Sequence, residues 1–120
     1  MQRKSRHRDA VQGLLQESEG PLSAAEVRDA LEATGIGQAT VYRLLNEGVE
    51  DGVFKAVEMP QGPTRYEPKD LPHHHHFECT ACGKVFDIEG CPGGLKKLLP
   101  KGFSLEAHEV LLYGRCEACG

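Results

Sequence analysis

Val53-Phe54-Lys55-Ala56-Val57-Glu58-Met59, then Pro60-Gln61-Gly62-Pro63, then Thr64-Arg65-Tyr66-Glu67, is the stretch on which the fold turns. The first run alternates and carries β-branched residues, which predicts a strand. The proline and glycine group predicts a turn, and the third run a short returning strand. Upstream, Gln38 to about Glu50 predicts a helix with Val41, Leu44, Leu45 and Val49 inside, ended by Asp51-Gly52. Ser23-Ala24-Ala25-Glu26 is a capping-box pattern. It predicts a helix with Val27, Ala30 and Leu31 on its inner face, broken by Thr34-Gly35-Ile36-Gly37. Val11, Leu14 and Leu15 mark a first helix, stopped by Gly20-Pro21. Three helices followed by a hairpin predict a winged helix-turn-helix over residues 1–68.

Glu67-Pro68-Lys69-Asp70-Leu71-Pro72 changes the composition. Its two prolines and surrounding charges predict a stiff hinge at 69–72. Beyond it, residues 73–120 read as strands at His73–Glu78, Lys84–Ile88 and Phe103–Tyr113, with a short helix at Leu95–Leu99. The fold class is therefore α+β: a winged helix-turn-helix domain followed by a small α/β domain. About 48 residues cannot bury an adequate core, so the second part needs a metal, a partner subunit or both.

The chain has 120 residues, with 14 basic and 18 acidic, for a net charge of −4. No apolar run is long enough for a bilayer-spanning helix, which excludes that class of membrane protein. Met1–Arg8 is basic, but no apolar signal core follows it, so the expected compartment is the cytosol.

All five cysteines, Cys79, Cys82, Cys91, Cys116 and Cys119, lie in the last 42 residues. Four of them form two C-x-x-C units, which in a reducing compartment read as metal ligands before disulfides. Each unit turns tightly enough to aim both sulfurs at one point. Together Cys79, Cys82, Cys116 and Cys119 can give zinc a closed tetrahedral thiolate shell, a structural site. No thioredoxin-like βαβ pattern surrounds them, which argues against redox catalysis.

His73-His74-His75-His76 continues into the predicted strand. Side chains on a strand alternate faces, so His73 and His75 point one way and His74 and His76 the other. One run can thus serve two metal sites. Imidazole suits zinc, ferrous iron and manganese. His108, Cys91, Asp87 and Glu89 are further donors whose roles stay open on sequence grounds.

On the third predicted helix, Tyr42, Arg43 and Asn46 avoid the apolar stripe, with Thr40 near its start. Tyr can contact thymine methyls, and Arg can grip phosphate or guanine. Lys55 and Arg65 on the hairpin, and Arg3, Lys4, Arg6 and Arg8 on the N-terminal arm, are candidate phosphate contacts. Residues 1–71 nevertheless hold 9 basic and 12 acidic residues, a balance of −3. Basic character is therefore local, and binding should be salt-dependent and weak for a single copy. Two recognition helices in a dimer relieve that difficulty.

Ala39–Leu45, Arg65-Tyr66-Glu67, His73–Val85 and His108–Cys116, in this order and spacing, resemble the ferric uptake regulator superfamily over nearly the whole chain. The resemblance implies a homodimeric, metal-dependent transcription factor, usually a repressor, on an AT-rich palindromic double-stranded operator. It makes the second domain the dimerisation domain. It gives Cys79, Cys82, Cys116 and Cys119 to structural zinc. It gives Glu67, His74 and His76 to a regulatory site at the hinge, and His73, His75 and His108 to a second site. Tyr42 matches the base-contacting tyrosine, followed by Arg43.

The chain departs from the family pattern in three places. Gly20-Pro21 stand where many members have a histidine near the second helix, leaving Glu19 or water for that ligand position. The dimerisation helix is shorter and offers Cys91 where members carry Glu or Asp, which favours zinc over iron or manganese as the second divalent metal. Members often carry an extra segment before the first helix; here the resemblance leads us to expect its DNA-contacting role on Arg3–Arg8. The expected function is a zinc-sensing repressor, with an iron or manganese sensor as the alternative. A structural zinc module without regulated DNA binding is the alternative outside the family. A metal hydrolase is not expected, because no H-E-x-x-H motif occurs.

Overall fold

A computed structural model describes the backbone of residues 2–120 and the side chains from Arg6 onward. The expected Lys4 and Arg3 contacts lie outside the described side chains. Two compact units divide after Leu71. The architecture is mixed α+β, and no helix among the described residues is long and apolar enough to cross a membrane.

The first unit runs α1 (Gln2–Glu17), β1 (Leu22–Ser23), α2 (Ala24–Ala30), a 3-10 turn (Glu32–Thr34), α3 (Gln38–Glu50), β2 (Phe54–Val57) and β3 (Arg65–Pro68). The Ser23 hydroxyl accepts from Glu26 N–H while the Glu26 carboxylate accepts from Ser23 N–H, so the capping box forms as its residues predict. Ser23 also belongs to a two-residue strand that sequence patterning does not reveal. This strand makes the sheet three-stranded, in the order β1-β3-β2 and antiparallel throughout.

Val11, Leu15, Val27, Ile36, Val41, Leu44, Leu45, Phe54 and Tyr66 form one core. Val49 and Ala30, expected inside, are exposed. Gly48 faces the core in place of Val49, because the Phe54 ring lies against its backbone. A Cβ at Gly48 would stand 2.2 Å from that ring.

The second unit runs β4 (His75–Cys79), β5 (Val85–Ile88), a 3-10 turn (Leu95–Leu98) and β6 (Leu111–Gly114). Its sheet has the order β5-β4-β6, antiparallel on one side of β4 and parallel on the other. The expected long strand from Phe103 shrinks to Leu111–Gly114. The ladder with β4 pairs His76 to Cys79 with Leu111 to Gly114, and His76 N–H also reaches Val110 O, but β4 begins at His75, so residues 103–109 have no partner strand in this sheet. Among the described residues, this unit's buried side chains are Cys79, Val85 and His75, and of these Cys79 is fully buried.

Candidate metal centres and nucleic-acid face

Strand pairing assembles the four-cysteine cluster. Cys79 ends β4 beside Gly114 of β6, so Cys116 follows directly onto the first C-x-x-C turn. Gly83 closes that turn with φ +78°, a left-handed conformation that glycine adopts without strain, and its N–H reaches Cys79 O at 2.9 Å. All four sulfurs lie within 4.8 Å of one another, and the Cys82 and Cys116 sulfurs are 3.9 Å apart. Four sulfurs held by one tetrahedral zinc stand about 3.8 Å apart, so the set fits such an ion. The N–H groups of Cys82 and Cys116 each donate to the Cys79 sulfur and pull its pKa down to about 5. Hydrogen bonds with the Cys116 and Cys79 thiols push Cys119 up to about 12. Four crowded sulfurs thus share one easy negative charge and resist the last. A divalent cation resolves this by replacing the protons.

β4 begins at His75 rather than at the expected His73, and the histidine run still divides into two sets. On one face His73, His75 and His108 meet Cys91, with ligand atoms within 4.8 Å. The His73 and His75 ring centres are 4.6 Å apart, and those of His73 and His108 5.0 Å. His75 Nε2 is 3.4 Å and His108 Nε2 2.7 Å from the Cys91 sulfur. A nitrogen and a sulfur on one tetrahedral zinc stand about 3.5 Å apart, which the His75–Cys91 edge matches. The His108–Cys91 edge is tighter. Burial first, and the neighbouring histidines after it, lower the His75 pKa and keep it in the neutral, ligand-competent form.

On the other face His74 and His76 meet Asp87. The β4–β5 register sets His76 directly opposite Asp87, and the carboxylate Oδ1 is 3.5 Å from Nε2 of both imidazoles. His74 Nδ1–H donates to Pro72 O at 2.7 Å, so in the neutral ring the Nε2 lone pair faces inward. A backbone carbonyl behind a ring nitrogen is the usual outer support of a metal-binding histidine. On sequence grounds Asp87 is one of two nearby oxygen donors, the other being Glu89. Strand register singles it out, and Glu89 is exposed and in neither group. Glu67 belongs to the first unit, where β3 buries it.

In the first unit, α3 exposes Tyr42, Arg43 and Asn46, with Thr40 half-buried, and β2 exposes Lys55. Arg43 and Arg8 both approach Glu47, at 3.4 and 3.9 Å. Arg65 corrects the sequence expectation. It was expected on the hairpin surface, yet its side chain is buried, donating to Pro21 O at 3.2 Å and pairing with Glu26 at 2.5 Å. The central strand β3 is covered on both faces, so Arg65, Tyr66 and Glu67 are all buried, and alternation does not send Arg65 outward.

Known proteins resemble this chain in sequence and fold. A ferric uptake regulation protein of Bordetella parapertussis is 40% identical over 105 residues, which span 82% of this chain and 74% of that protein. The chain spans 62% of the corresponding protein of Campylobacter jejuni, at 34% identity over 78% of this chain. The crystal structure of the Vibrio cholerae ferric uptake regulator superposes with a TM-score of 0.72 at 28% identity, over 91% of this chain and 88% of that one. FurB of M. tuberculosis, a zinc uptake regulator, superposes at 0.55 with 29% identity, over 98% of this chain and 95% of that one. Proteins of this kind are transcription regulators that bind DNA and metal, not enzymes. Residues 2–113 match the ferric uptake regulator family, and the chain belongs to it.

Proposed function

We propose that the protein is a homodimeric, zinc-responsive transcriptional repressor of the cytoplasm. Its first unit serves as a winged helix-turn-helix and its second as the dimerisation domain. The observation that carries the zinc assignment is the donor set of three imidazoles and one thiolate at His73, His75, Cys91 and His108. Sulfur and imidazole donors suit zinc, whereas iron(II) and manganese prefer more oxygen. Structural zinc is assigned to Cys79, Cys82, Cys116 and Cys119.

For DNA contact, α3 offers Tyr42 and Asn46 to base edges and Arg43 to phosphate or guanine, with Thr40, Lys55 and Arg8 supporting on the backbone. Arg65 holds β3 to the start of α2 instead. The partner is an AT-rich palindromic duplex, read by two copies of α3.

Regulation rests on donors from both sides of the hinge. The family pattern adds Glu67 to His74 and His76, and Asp87 supplies a further oxygen. A divalent ion supplies the charge that lets these donors converge. Glu67, so engaged, limits how far β3 can swing, and that sets the spacing of the two α3 helices across the dimer. A preference of about 1–3 kcal/mol for the DNA-competent spacing changes affinity severalfold to more than a hundredfold, and operator DNA tightens metal binding by the same factor. A second reading, an iron or manganese sensor, draws support from the oxygen of Asp87 beside His74 and His76.

The test is operator binding by fluorescence anisotropy with the four-cysteine zinc retained. Zinc, ferrous iron and manganese are titrated anaerobically on wild type and Cys91→Ser. Activation by zinc at far lower free concentration than iron, lost in Cys91→Ser, is the expected result. Equal activation by iron or manganese, unchanged in Cys91→Ser, would establish the second reading.

A further inference from the structure

We propose that Cys91 is an oxidation site for peroxides, and that its modification removes the one sulfur donor from the His73, His75, Cys91 and His108 cluster. This rests on the reading of that cluster as a metal site. Cys91 lies in the exposed loop Gly90-Cys91-Pro92-Gly93-Gly94, open to small solutes. Its sulfur is the single sulfur of its cluster, whereas each sulfur of the other cluster has thiol neighbours.

That difference sets the product. In the four-cysteine cluster, oxidation of one sulfur places it beside another thiol, and a disulfide closes. Cys91 has no second thiol in its cluster, so no disulfide closes there and low peroxide leaves the sulfenic acid as the first product. The thiolate is the form that ligates a metal and also the nucleophile.

In the step itself, the Cys91 thiolate attacks one oxygen of hydrogen peroxide. An S–O bond forms and the O–O bond breaks. The leaving hydroxide carries off the O–O electron pair and becomes water on protonation. The sulfur is oxidised by two electrons and the peroxide reduced by the same two. A neutral sulfenic acid replaces an anionic donor, leaving three imidazoles without their only negative partner. A low-molecular-weight thiol reverses the change. It forms a mixed disulfide with loss of water, and a second such thiol releases Cys91 as the free thiol and a small disulfide.

The experiment uses the full chain loaded with zinc, wild type beside Cys91→Glu, which keeps a ligand but no sulfur. Zinc stoichiometry comes first. If wild type holds no zinc beyond the four-cysteine site, the cluster reading fails on its own, before any oxidant is added. With that ion bound, low hydrogen peroxide should release about one equivalent of zinc per chain to a chromogenic chelator. Peptide mapping should find dimedone, a sulfenic-acid trap, on Cys91, and added thiol should restore zinc binding. Cys91→Glu should lose this first release phase and keep the later one, in which the four-cysteine cluster forms disulfides. Zinc loss from Cys91→Glu at the same peroxide dose as wild type, or wild-type zinc loss with Cys91 unmodified, would overturn the proposal.

Discussion

The two units are held together by different means. The first closes on a continuous apolar core, from Val11 on α1 through Leu45 on α3 to Phe54 and Tyr66 on the sheet. The second contributes only Cys79 and Val85 to the buried apolar residues. What it gathers instead are donor groups: four sulfurs at one end of β4 and two sets of histidines around its other end. A core of side chains stabilises by removing apolar area from water, and it does so whatever the solution contains. A core of ligands stabilises only when an ion is supplied, since otherwise lone pairs and protons crowd one another. Placing the conditional core in one unit and the unconditional one in the other lets metal availability change part of the molecule while the first unit stays folded.

The largest expected effect comes from removing a ligand of the four-cysteine cluster. Structural zinc contributes on the order of 10 kcal/mol in small domains. Cys79→Ser should therefore lose the structural zinc and leave residues 72–120 open to limited proteolysis, while the first unit still resists. Equal resistance of both units in Cys79→Ser would erase the contrast. The reverse experiment is Leu45→Ala, which truncates a fully buried side chain. It should destabilise the first unit by about 2–5 kcal/mol in a denaturant melt without lowering the zinc content of the protein at low temperature. Loss of zinc in parallel with the first unit would show that the units are not independent.

Arg65→Ala sharpens the contrast within the first unit. It should cost about 1–2 kcal/mol, discounted because Glu26 is partly exposed. The salt dependence of DNA binding should stay as it was, since the guanidinium faces Glu26 and Pro21 O. A shallower salt slope would mean that Arg65 neutralises a phosphate after all.

The smallest effect is a pH dependence confined to the second unit. The folded His75 pKa lies below the ordinary 6.5. As pH falls below that value the unfolded chain takes up a proton first, so stability falls from about pH 6.5 downward until the folded ring also protonates. Above that window it is unaffected. His75→Gln, compared with wild type in melts from about pH 5.5 to about pH 7.5 with zinc kept at the cysteines (about one unit either side of the ordinary histidine value), should flatten this slope. An unchanged slope would place the proton uptake on other groups.

Sequence made the first unit's helices legible because they are set by local chemistry. Ser23 and Glu26 announce their cap, and Val41, Leu44 and Leu45 their face. The C-x-x-C turns and the alternation of His73–His76 are local in the same sense. What escaped is non-local. Leu22 and Ser23 become a strand only because β3 offers an edge, and that same crowding turns Arg65 inward. Gly48 displaces Val49 from the inner face because Phe54 returns across it. Asp87 stands out among neighbouring acids only once β5 pairs with β4 in a fixed register. Residues 103–109 carry strand-like alternation but lie beyond the start of β4 at His75.

The central claim is that ligands hold the second unit and apolar packing holds the first. Amide hydrogen exchange on the full chain tests it most directly, measured residue by residue before and after complete metal removal by a chelator under reducing conditions. Protection should collapse across β4, β5 and β6 while that of α3 and its core partners persists. Protection retained in β4–β6 without metal, or lost from both units together, would contradict the account.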